Sequence, residues 1–310
     1  MKDGYQLHNW ELHGVIFRPK LQGLSWMQSH AWLPTPYYAG GGNIFLYFAT
    51  RNKHNLSQIG RLQLNLNRPE KITNLSMEPV LKLGQLGCFD DSAVLPSQVF
   101  VHDGKLKMIY IGWMQGKNVP FHAALGLAES QDFGETFHRY SQAPIIDRNE
   151  IDPIFVSSAY VQPQKRGYLA WYTSAVAWNK HGDNLKENYL IKLAAAETPF
   201  AWQRRGEVAI GQSGSERAIS RPWVLQSKDK YMMWYSYRSH SYDIGYAESE
   251  NGVSWYRRDE ENKVPKSPCG FDSQMQEYAA VIEYKKKLFM FYNGNNFGEE
   301  GIALASANIN

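Results

Sequence analysis

Acidic residues recur at matching places in three stretches of the sequence: FDDSAVLP at 89 to 96, GSERAISRP at 214 to 222 and FDSQMQEYA at 271 to 279. When these stretches are aligned, Asp91 matches Glu216 and Asp90 matches Asp272, while Glu277 lies further along its stretch. A single acid at such a place more often caps a turn. Several carboxyl groups that converge in one cleft repel each other, which is costly unless they are used. We therefore interpret Asp91, Glu216 and Glu277 as candidate catalytic residues, and Asp90 and Asp272 as candidate ligand contacts.

Paired carboxyl groups in an aromatic cleft suit glycosyl transfer to water or to another acceptor. One acid protonates the departing oxygen, and the other activates water or attacks directly. Aromatic side chains make up 14% of the chain, with 10 Trp and 19 Tyr, and flat rings pack well on the C–H faces of a sugar. We predict that Trp113, Tyr278 and His30 form walls of the site and that Asn295 is a further ligand contact.

Arginine is the second residue type that could contact a ligand in this cleft. Arg51 and Arg238 end two aromatic segments, and Arg217 and Arg221 lie in the second acidic stretch. One or two of them could simply hold protein carboxylates in the ionised state. Four favour an anionic ligand, such as a uronic acid, a sialic-type sugar, a phosphate or a nucleotide sugar.

The elements that position these residues follow from an internal repeat. Five aromatic segments share one aromatic position, and these positions are 62, 62, 63 and 57 residues apart: Phe48, Tyr110, Tyr172, Tyr235 and Tyr292. Short alternating strands and glycine turns at this period are typical of propeller blades, and helical periodicity is poorly matched throughout. We predict one all-β domain over residues 1 to 310, a five-bladed β-propeller with four antiparallel strands in each blade.

The segment at 9 to 19 predicts how the ring of blades closes. It resembles segments 201 to 211 and 254 to 265, with Trp10 in the place of Trp202 and Trp255. The last blade otherwise lacks a fourth strand, so we expect the N-terminal strand to complete it and remove an exposed edge. The other fourth strands are predicted at MEPVLKL, QAPIIDR, GEVAIGQ and NKVPKSP. The first strands would line the central channel, where the candidate residues meet.

Six motifs carry a resemblance to a known group of proteins: GCFDDSAVLPS, MIYIGW, GLAESQDFGETF, RPWVL, MMWYSYRS and MFYNGN. Over essentially the whole chain they resemble the five-bladed propeller superfamily of glycoside hydrolase families 43, 32, 68, 117 and 130. The chain is also similar to uncharacterised propellers encoded with surface-polysaccharide genes, which implies a role in making or modifying a sugar in the cytoplasm.

The resemblance to family 43 implies an inverting mechanism with an Asp base in blade one, an Asp modulator in blade two and a Glu acid in blade three. Only the acid of blade two has a match, in Asp90 or Asp91. Blade one has His30 instead, blade three has DPIFVSS, and the NDPNG motif of family 32 is missing. The sequence therefore departs from that catalytic triad.

Other ligands and compartments are disfavoured by composition. Two cysteines and dispersed histidines form no metal or disulfide pattern, so no cofactor is predicted, although a Ca²⁺ or Na⁺ ion in the channel is compatible with the sequence. The net charge of +3 comes from scattered basic residues, which disfavours nucleic acid. No long apolar segment or secretion signal occurs, so we expect a cytoplasmic protein without membrane insertion. The sequence gives no indication of oligomeric state.

Three functions remain open. The first is a glycosidase-like carbohydrate-active enzyme, either a hydrolase or a phosphorylase. The second is a transferase that acts on a nucleotide-linked or lipid-linked sugar in polysaccharide synthesis. The third is a sugar-binding propeller without catalysis, which the missing acid of blade one favours.

Overall fold

The computed structural model describes residues 9–182, 184–227 and 230–309. Strands dominate this part of the protein, which confirms the prediction of an all-β protein. Besides the strands there are two single turns of 3₁₀-helix, Pro19–Gln22 and Asp259–Asn262, and one four-residue helix, α1 (Asn295–Gly298). None of the helices in the described ranges has the length and apolar character that a membrane span requires.

Strand β1 (Glu11–Phe17) is followed by five groups of antiparallel strands, here called units 1 to 5. Unit 1 contains β2 (Ser29–Gly40), β3 (Asn43–Arg51), β4 (Ser57–Asn65) and β5 (Arg68–Leu75). Unit 2 contains β6 (Ala93–His102), β7 (Lys105–Gln115), β8 (Phe121–Ser130) and β9 (His138–Arg139). Unit 3 contains β10 (Phe155–Pro163), β11 (Tyr168–His181), β12 (Asn184–Ala196) and β13 (Gln203–Ile210). Unit 4 contains β14 (Ala218–Gln226), β15 (Tyr231–Arg238), β16 (Tyr242–Ser249) and β17 (Tyr256–Arg257). Unit 5 contains β18 (Glu277–Tyr284), β19 (Lys287–Asn293) and β20 (Ile302–Asn308).

The N-terminal strand pairs with the last strand of the protein. Residues of β1 lie antiparallel to β20, from Glu11 opposite Ser306 to Phe17 opposite Ile302. The sheet of unit 5 therefore has the order β1-β20-β19-β18 and contains four strands. Because β1 lies outside β20, the pairing covers an edge that β20 would otherwise expose.

The fourth strands differ from the sequence prediction in three of the four units that have one. The segments MEPVLKL and QAPIIDR make only single bridges, at Leu81 and Ile146, and the short strands β5 and β9 precede them. The segment NKVPKSP follows β17 and forms no strand. Each of the three segments contains a proline, which cannot donate to a ladder and disfavours continued pairing. GEVAIGQ, which has no proline, largely coincides with β13.

The shared aromatics of units 2 and 4 lie across glycines of the third strand. Tyr110 is opposite Gly126, and Tyr235 is opposite Gly245. A Cβ on Gly126 would lie 2.3 Å from the Tyr110 ring, and one on Gly245 would lie 2.4 Å from the Tyr235 ring. The "GLAES" and "GYAES" repeats in the sequence are therefore packing positions that admit a buried tyrosine.

A register shift occurs in the first strand of every unit. The shifts lie between Trp32 and Thr35, Pro96 and Gln98, Ser157 and Ala159, Ser220 and Trp223, and Glu277 and Ala280. A bulge bends its strand and redirects the side chains next to it. Residues at four of the five shifts, Leu33, Ser158, Arg221 and Tyr278, line one cavity.

Hydrogen bonds next to these bulges join successive units. The Ser97 hydroxyl accepts from the Ala159 amide at 2.7 Å, and the Ser158 hydroxyl accepts from the Arg221 amide at 3.1 Å. The Ser236 hydroxyl accepts from the Tyr278 amide at 2.8 Å. Asn293 then links unit 5 to unit 1, because its Oδ1 accepts from the Leu33 amide at 3.0 Å. Each bond satisfies a buried backbone group that the bulge removes from its ladder.

Candidate functional site

A cavity of about 220 Å³ lies where the five first strands meet. All five units contribute to its lining, which consists of Trp32, Leu33, Arg51, Leu95, Ile111, Trp113, Phe121, Phe155, Ser157, Ser158, Thr173, Glu187, Tyr189, Ser220, Arg221, Tyr242, Tyr278 and Phe297. Four of the predicted site residues are among them: Arg51, Trp113, Arg221 and Tyr278.

Aromatic rings form one continuous side of the cavity. Trp113 stacks on Phe121 with centroids 4.4 Å apart and planes 9° from parallel, and Trp32 meets the edge of Trp113 at 5.7 Å. Trp178 packs behind this pair against Phe121 and Phe155. The indole N–H groups of Trp32 and Trp113 have no hydrogen-bond partner within the described residues. The wall therefore offers flat apolar faces, and it contains two buried donors without a partner.

Arg221 lines the cavity and is buried, with 1% of its surface exposed. Its guanidinium donates to the Ser97 carbonyl at 2.7 Å, the Thr35 hydroxyl at 2.7 Å and the Pro34 carbonyl at 3.1 Å. Its Nε atom has no partner in the described ranges. Burial lowers the pKa of Arg221 to about 9, which still leaves the side chain charged near neutral pH. All of its acceptors are neutral, so a buried positive charge faces the cavity without a carboxylate.

Arg51 supplies a second positive charge to the cavity. Its guanidinium lies over the Trp32 ring at 4.5 Å from the centroid. Burial lowers its pKa. Within residues 9–182, 184–227 and 230–309, no carboxylate forms an ion pair with Arg51 or Arg221. An anion is the group that would balance these two charges.

Two carboxyl groups belong to the cavity or adjoin it. Glu187, on β12, lines the cavity, and its nearest ion-pair partner is Arg217 at 3.8 Å. Glu277 is fully buried directly before Tyr278, and neither of its carboxyl oxygens has a hydrogen-bond partner in the described residues. Burial raises the pKa of Glu277 well above its usual value, although Tyr278 and Arg238 act in the opposite direction. Glu187 is thus held by a long salt bridge, whereas Glu277 favours the protonated state.

Backbone strain concentrates around the cavity. Leu33, Arg221, Tyr278 and Phe297 all line it, and all have positive φ angles, of 51°, 56°, 57° and 59°. Side chains with a Cβ rarely adopt this conformation, which persists where surrounding contacts impose it. Such strain clusters at functional sites.

Asp91 and Glu216 do not line this cavity, so the prediction that they surround one pocket with Glu277 is wrong. Asp91 closes a turn, where its carboxylate accepts from the Gly87 amide at 2.9 Å and from the Ser92 hydroxyl at 2.7 Å. Glu216 accepts two hydrogen bonds from Arg257, each of 2.7 Å. The two residues share an alignment position before their strands, where loop conformation decides the direction of a side chain.

The aligned acids Asp90 and Asp272, together with Asp152 at the equivalent place before the first strand of unit 3, form a repeated structural contact. The carboxylates of Asp90, Asp152 and Asp272 accept from the shared tyrosines Tyr110, Tyr172 and Tyr292 at 3.0, 2.9 and 3.0 Å. Arg139 also pairs with Asp90 at 2.7 Å, and Gln276 donates to Asp272 at 2.9 Å. Asp90 and Asp272 are therefore fully buried supports and not ligand contacts of this cavity.

A signal for this role was present in the sequence. Each of the three acids precedes its tyrosine by 20 residues, and the position 20 residues before Phe48, which has no hydroxyl, is not an acid. In unit 4 that position is Ser215, and Asp259 bonds Tyr235 instead at 2.6 Å. The acid therefore occurs where a buried hydroxyl needs an acceptor.

The remaining predicted contacts lie next to the cavity without lining it. His30 meets the edge of the Trp32 ring at 6.2 Å, and burial together with Arg51 lowers its pKa to about 4. Arg238 lies over the Tyr242 ring at 5.1 Å. Arg217 reaches the cavity through Glu187, as described above. Asn295 caps a loop, since its Oδ1 accepts from the Gln274 amide at 2.9 Å.

Sequence reasoning missed the residues that unit 3 contributes. Glu187 and Tyr189 lie on β12, which forms a long hairpin with β11. These strands have 14 and 13 residues, whereas the equivalent strands of unit 4 have 8 each. The extended aromatic run YLAWYTSAVAWNKH was the only hint in the sequence. Because this hairpin is longer than its counterpart in unit 4, Glu187 falls at a position that the alignment does not match with an acid of another unit.

No metal centre can be assembled from these side chains. Among the described residues, no group of three or more His, Cys, Asp or Glu side chains is placed to hold a metal ion.

Comparison with solved structures supports the fold. A structure described as "Glycoside hydrolase" matches with a TM-score of 0.76 at 16% identity, over 95% of this protein and 90% of the other. A BT0996 complex with RGII in its description matches with a TM-score of 0.75 at 16% identity and the same coverage. A thermostable family-43 glycoside hydrolase matches with a TM-score of 0.66 at 16% identity, over 93% of this protein and 91% of the other.

Sequence comparison identifies relatives along the whole chain. No protein-family model matches. The uncharacterized proteins Rv1502 and MT1551, from two strains of Mycobacterium tuberculosis, are each 34% identical over 298 residues, which is 96% of this chain and 98% of theirs. The chain therefore belongs to the family of these two mycobacterial proteins, and its fold is that of the propeller glycoside hydrolases that its sequence motifs resemble.

Proposed function

We propose that this protein is a carbohydrate-active enzyme of the glycosidase-like type that binds an anionic sugar in its central cavity. The glycoside hydrolases among the structural neighbours support a carbohydrate as the ligand. The single observation that carries the anionic character is the presence of Arg51 and Arg221 in an aromatic cavity without carboxylate partners in the described ranges.

The architecture that we propose is one domain with five blades arranged in a ring. Units 1 to 5 would be the blades, and β1 would supply the outer strand of the last one. Two observations favour this: the pairing of β1 with β20, and the hydrogen bonds from Asn293 of unit 5 to the Ala31 carbonyl and the Leu33 amide of unit 1. In such a ring the cavity would lie on the central axis.

The size of the cavity favours one sugar unit as the ligand. A volume of about 220 Å³ is below the roughly 300–1,000 Å³ of pockets that hold drug-sized molecules. A complete nucleotide sugar would have to extend beyond it. The Arg51 guanidinium, which no carboxylate pairs in the described ranges, and the unpartnered Arg221 Nε favour a carboxylate or phosphate group with several acceptor oxygens.

Glu187 is the carboxylate best placed to act on a sugar in this cavity. It lies in the wall, and its contact with Arg217 at 3.8 Å leaves acceptor capacity for a hydroxyl or a water. In hydrolysis by a glycosidase-like route, an ionised carboxylate at this place would take a proton from the attacking water.

A sugar-binding protein without catalysis is the second candidate. It is favoured by the engagement of Asp91 and Glu216 in structural contacts, because two of the three predicted catalytic acids are then absent from the cavity. The two functions differ in turnover: the binding protein retains uronic acids in the cavity and releases no product from a glycoside.

Binding of glucuronate and galacturonate, measured by calorimetry beside glucose and galactose, tests the proposed ligand class. We expect only the uronates to bind, with affinity that falls as salt increases. Arg51→Gln should weaken uronate binding about 10-fold or more, since hydrogen bonds to charged groups contribute about 1.5–3 kcal/mol. The exposed Arg148→Gln variant is the matched control and should bind as the wild type does. Equal binding of neutral and anionic sugars, or no uronate binding, would refute the proposal.

A further inference from the structure

We propose that the cavity is a blind pocket for the uronate at the non-reducing end of a saccharide chain, and that uronates inside a chain are excluded from it. This inference rests on the proposed function and specifies its substrate class, which is chains that end in a uronate. Three features of the cavity support it: a closed circuit of aromatic side chains, an inner end occupied by Arg221, and two charged side chains on the opposite side.

Aromatic side chains contact one another around the cavity from unit 1 to unit 3. Trp32 meets Trp113 at 5.7 Å between ring centroids, and Trp113 stacks on Phe121 at 4.4 Å. Phe121 lies 5.3 Å from Phe155, and Phe155 lies 6.3 Å from Tyr189. These separations are typical of rings in contact, whose centroids are about 4.5–7 Å apart. All five of these residues line the cavity.

The series continues through units 4 and 5 and returns to unit 1. The hydroxyl groups of Tyr189 and Tyr242 are hydrogen bonded, and the rings of Tyr242 and Tyr278 are 6.4 Å apart. Tyr278 lies 6.5 Å from Trp32, where the series began. Tyr242 and Tyr278 also line the cavity, so all five units contribute to one closed circuit. Among the described residues each member of this circuit has a neighbour on both sides, which leaves a saccharide chain no passage between them.

Arg221 and its partners occupy the inner end of the cavity. The guanidinium donates to the Thr35 hydroxyl of unit 1 and to the Ser97 carbonyl of unit 2, each at 2.7 Å. The Arg221 amide donates to the Ser158 hydroxyl of unit 3 at 3.1 Å. One buried residue of unit 4 is thus bonded to three other units, and in the described part of the protein this end offers no exit for a chain.

The contacts of Arg221 lie further along the first strands than the aromatic circuit. Thr35 follows Trp32 on β2, and Ser158 follows Phe155 on β10. Successive residues of a strand advance by about 3.3 Å, so the two levels are separated along the strands. Between them the cavity is lined by Leu33 and Ser157. The cavity therefore extends inward from the circuit to Arg221.

Arg51 and Glu187 lie on the outer side of the circuit. Arg51 is opposite Ser29, which begins β2 and precedes the circuit. Glu187 is opposite Trp178, in the part of the β11–β12 hairpin that extends beyond Phe155, the first residue of β10. Both charged residues line the cavity. Because the circuit closes the sides and Arg221 closes the inner end, the opening lies on the side of these two residues.

A uronate that uses both charged groups enters the cavity in one orientation. In a pyranose uronate, C1 and the carbon that bears the carboxylate flank the ring oxygen, whereas C3 and C4 lie on the far side of the ring. With the carboxylate at Arg51 and C1 near Glu187, C3 and C4 are directed toward Arg221. A further sugar on C1 can extend through the opening, but one on C4 would meet the buried guanidinium and its partners. Such a clash rejects every unit except the one at the non-reducing end.

Methyl groups placed at either end of the sugar test this orientation. Calorimetry first identifies which of glucuronate and galacturonate binds, and then which of its methyl α- and β-glycosides binds. We expect one glycoside to bind about as well as the free uronate, because C1 faces the opening. The same uronate methylated at O4 should bind about 10-fold or more weakly, since an added group in a packed site is costly. Binding of neither glycoside, or undiminished binding of the O4-methylated uronate, would overturn the blind pocket.

Two trisaccharides extend the comparison to chains. One carries the uronate at its non-reducing end, and the other carries it only in the middle, between two neutral sugars. The neutral sugar is N-acetylglucosamine for glucuronate or rhamnose for galacturonate, and both trisaccharides have the anomeric configuration whose methyl glycoside binds. We expect the first to bind and the second to show no detectable binding.

The variant Leu95→Ala tests which end of the cavity excludes the O4 substituent. Leu95 lines the cavity between Ala93, which is opposite Trp113 of the circuit, and Ser97, which accepts from Arg221. Its truncation enlarges the inner part, so the affinity for the O4-methylated uronate should rise relative to that for the methyl glycoside. Leu127→Ala, at an equally buried position of unit 2 outside the lining, is the matched control and should leave this ratio unchanged. An unchanged ratio in a folded Leu95→Ala protein would contradict the inner end as the cause.

The outcomes separate this inference from the proposed function. If the wild type binds neither glucuronate nor galacturonate, the proposed function fails. If it binds one of them and either binds both trisaccharides or binds neither, only the blind pocket fails. Should Leu95→Ala not fold, the two trisaccharides decide the question with the wild type alone.

Discussion

Removal of residues 1 to 20 is expected to yield an aggregated or unfolded protein. The deletion removes β1 and with it the buried side chains of Trp10 and Phe17. It also exposes β20, whose sequence IALASAN is apolar or small and would become an open edge available to other molecules. Size-exclusion chromatography and circular dichroism measure the result. A monomeric truncation with wild-type thermal stability would contradict the proposed closure of the ring by β1.

Point variants at Trp10, directly before β1, and at Glu11, its first residue, separate the contribution of the core contacts from that of the exposed side chain. The Trp10 indole N–H donates to Asn262 Oδ1 at 2.6 Å, and the ring packs edge-on against Trp234 at 6.4 Å. Trp10→Ala should therefore lower the free energy of unfolding by about 3–5 kcal/mol, as for other buried aromatic truncations. Glu11→Ala, at the exposed neighbouring position, should change it by no more than about 0.5 kcal/mol.

Replacement of Asp152 by Asn is expected to be the most destabilising single change among the aligned acids. The fully buried carboxylate accepts from Tyr172 at 2.9 Å and Ser174 at 2.6 Å, and it pairs with Lys192 at 2.9 Å and Arg204 at 2.7 Å. The amide leaves two cations without a counter-charge. Loss of one partner of a buried ion pair costs about 3–5 kcal/mol, and urea unfolding should show a loss of this size.

The pH dependence of stability, measured for the wild type and for Asp152→Asn, adds a second test. Burial acts to raise the pKa of Asp152, but the hydrogen bonds from Lys192, Ser174 and Tyr172 outweigh it and hold the pKa below its usual value. A depressed pKa gives stability that is present above about pH 3.8 and is lost as the pH falls below it. The difference between wild type and Asp152→Asn should therefore shrink in acid.

The exposed Asp147→Asn variant serves as the control for this comparison. Its weak contact with Arg148, at 3.9 Å between half-exposed side chains, should contribute little to stability. A loss in Asp152→Asn no larger than in this control would show that the buried cluster is not a major source of stability.

The sequence by itself determined the strand pattern and its repetition. Shared aromatics about 62 residues apart identified the second strand of each unit. In units 2 and 4 the shared tyrosine packs across a glycine of the third strand, and this packing needs the same two residue types each time it occurs. The likeness of segment 9 to 19 to other outer segments pointed to its pairing beside the last strand. These are local properties, since alternation and turn residues act over a few positions. Three of the proline-containing outer segments were nevertheless misplaced.

Alignment of the sequence could not identify which of the candidate acids reach the cavity, because this depends on tertiary structure. Arg51, Trp113, Arg221 and Tyr278 were identified because they lie at or near the first strands and line the cavity wherever those strands meet. Asp90 and Asp91 are neighbours in sequence, yet one binds a buried tyrosine and the other closes a turn. A side chain in a loop takes its direction from the backbone around it, and a shared alignment position does not fix that direction.

Only the assembled structure decided which charges remain unpaired. Glu216 is neutralised by Arg257, which lies 41 residues away in sequence, whereas Arg221 meets carbonyl and hydroxyl oxygens of units 1 and 2. Glu187 enters the cavity because the hairpin of β11 and β12 is longer than its counterpart in unit 4. The sequence determined residue types and strand order through local periodicity. The partner of each charge was decided by contacts between distant segments, because the free energy of a buried charge depends on every group around it.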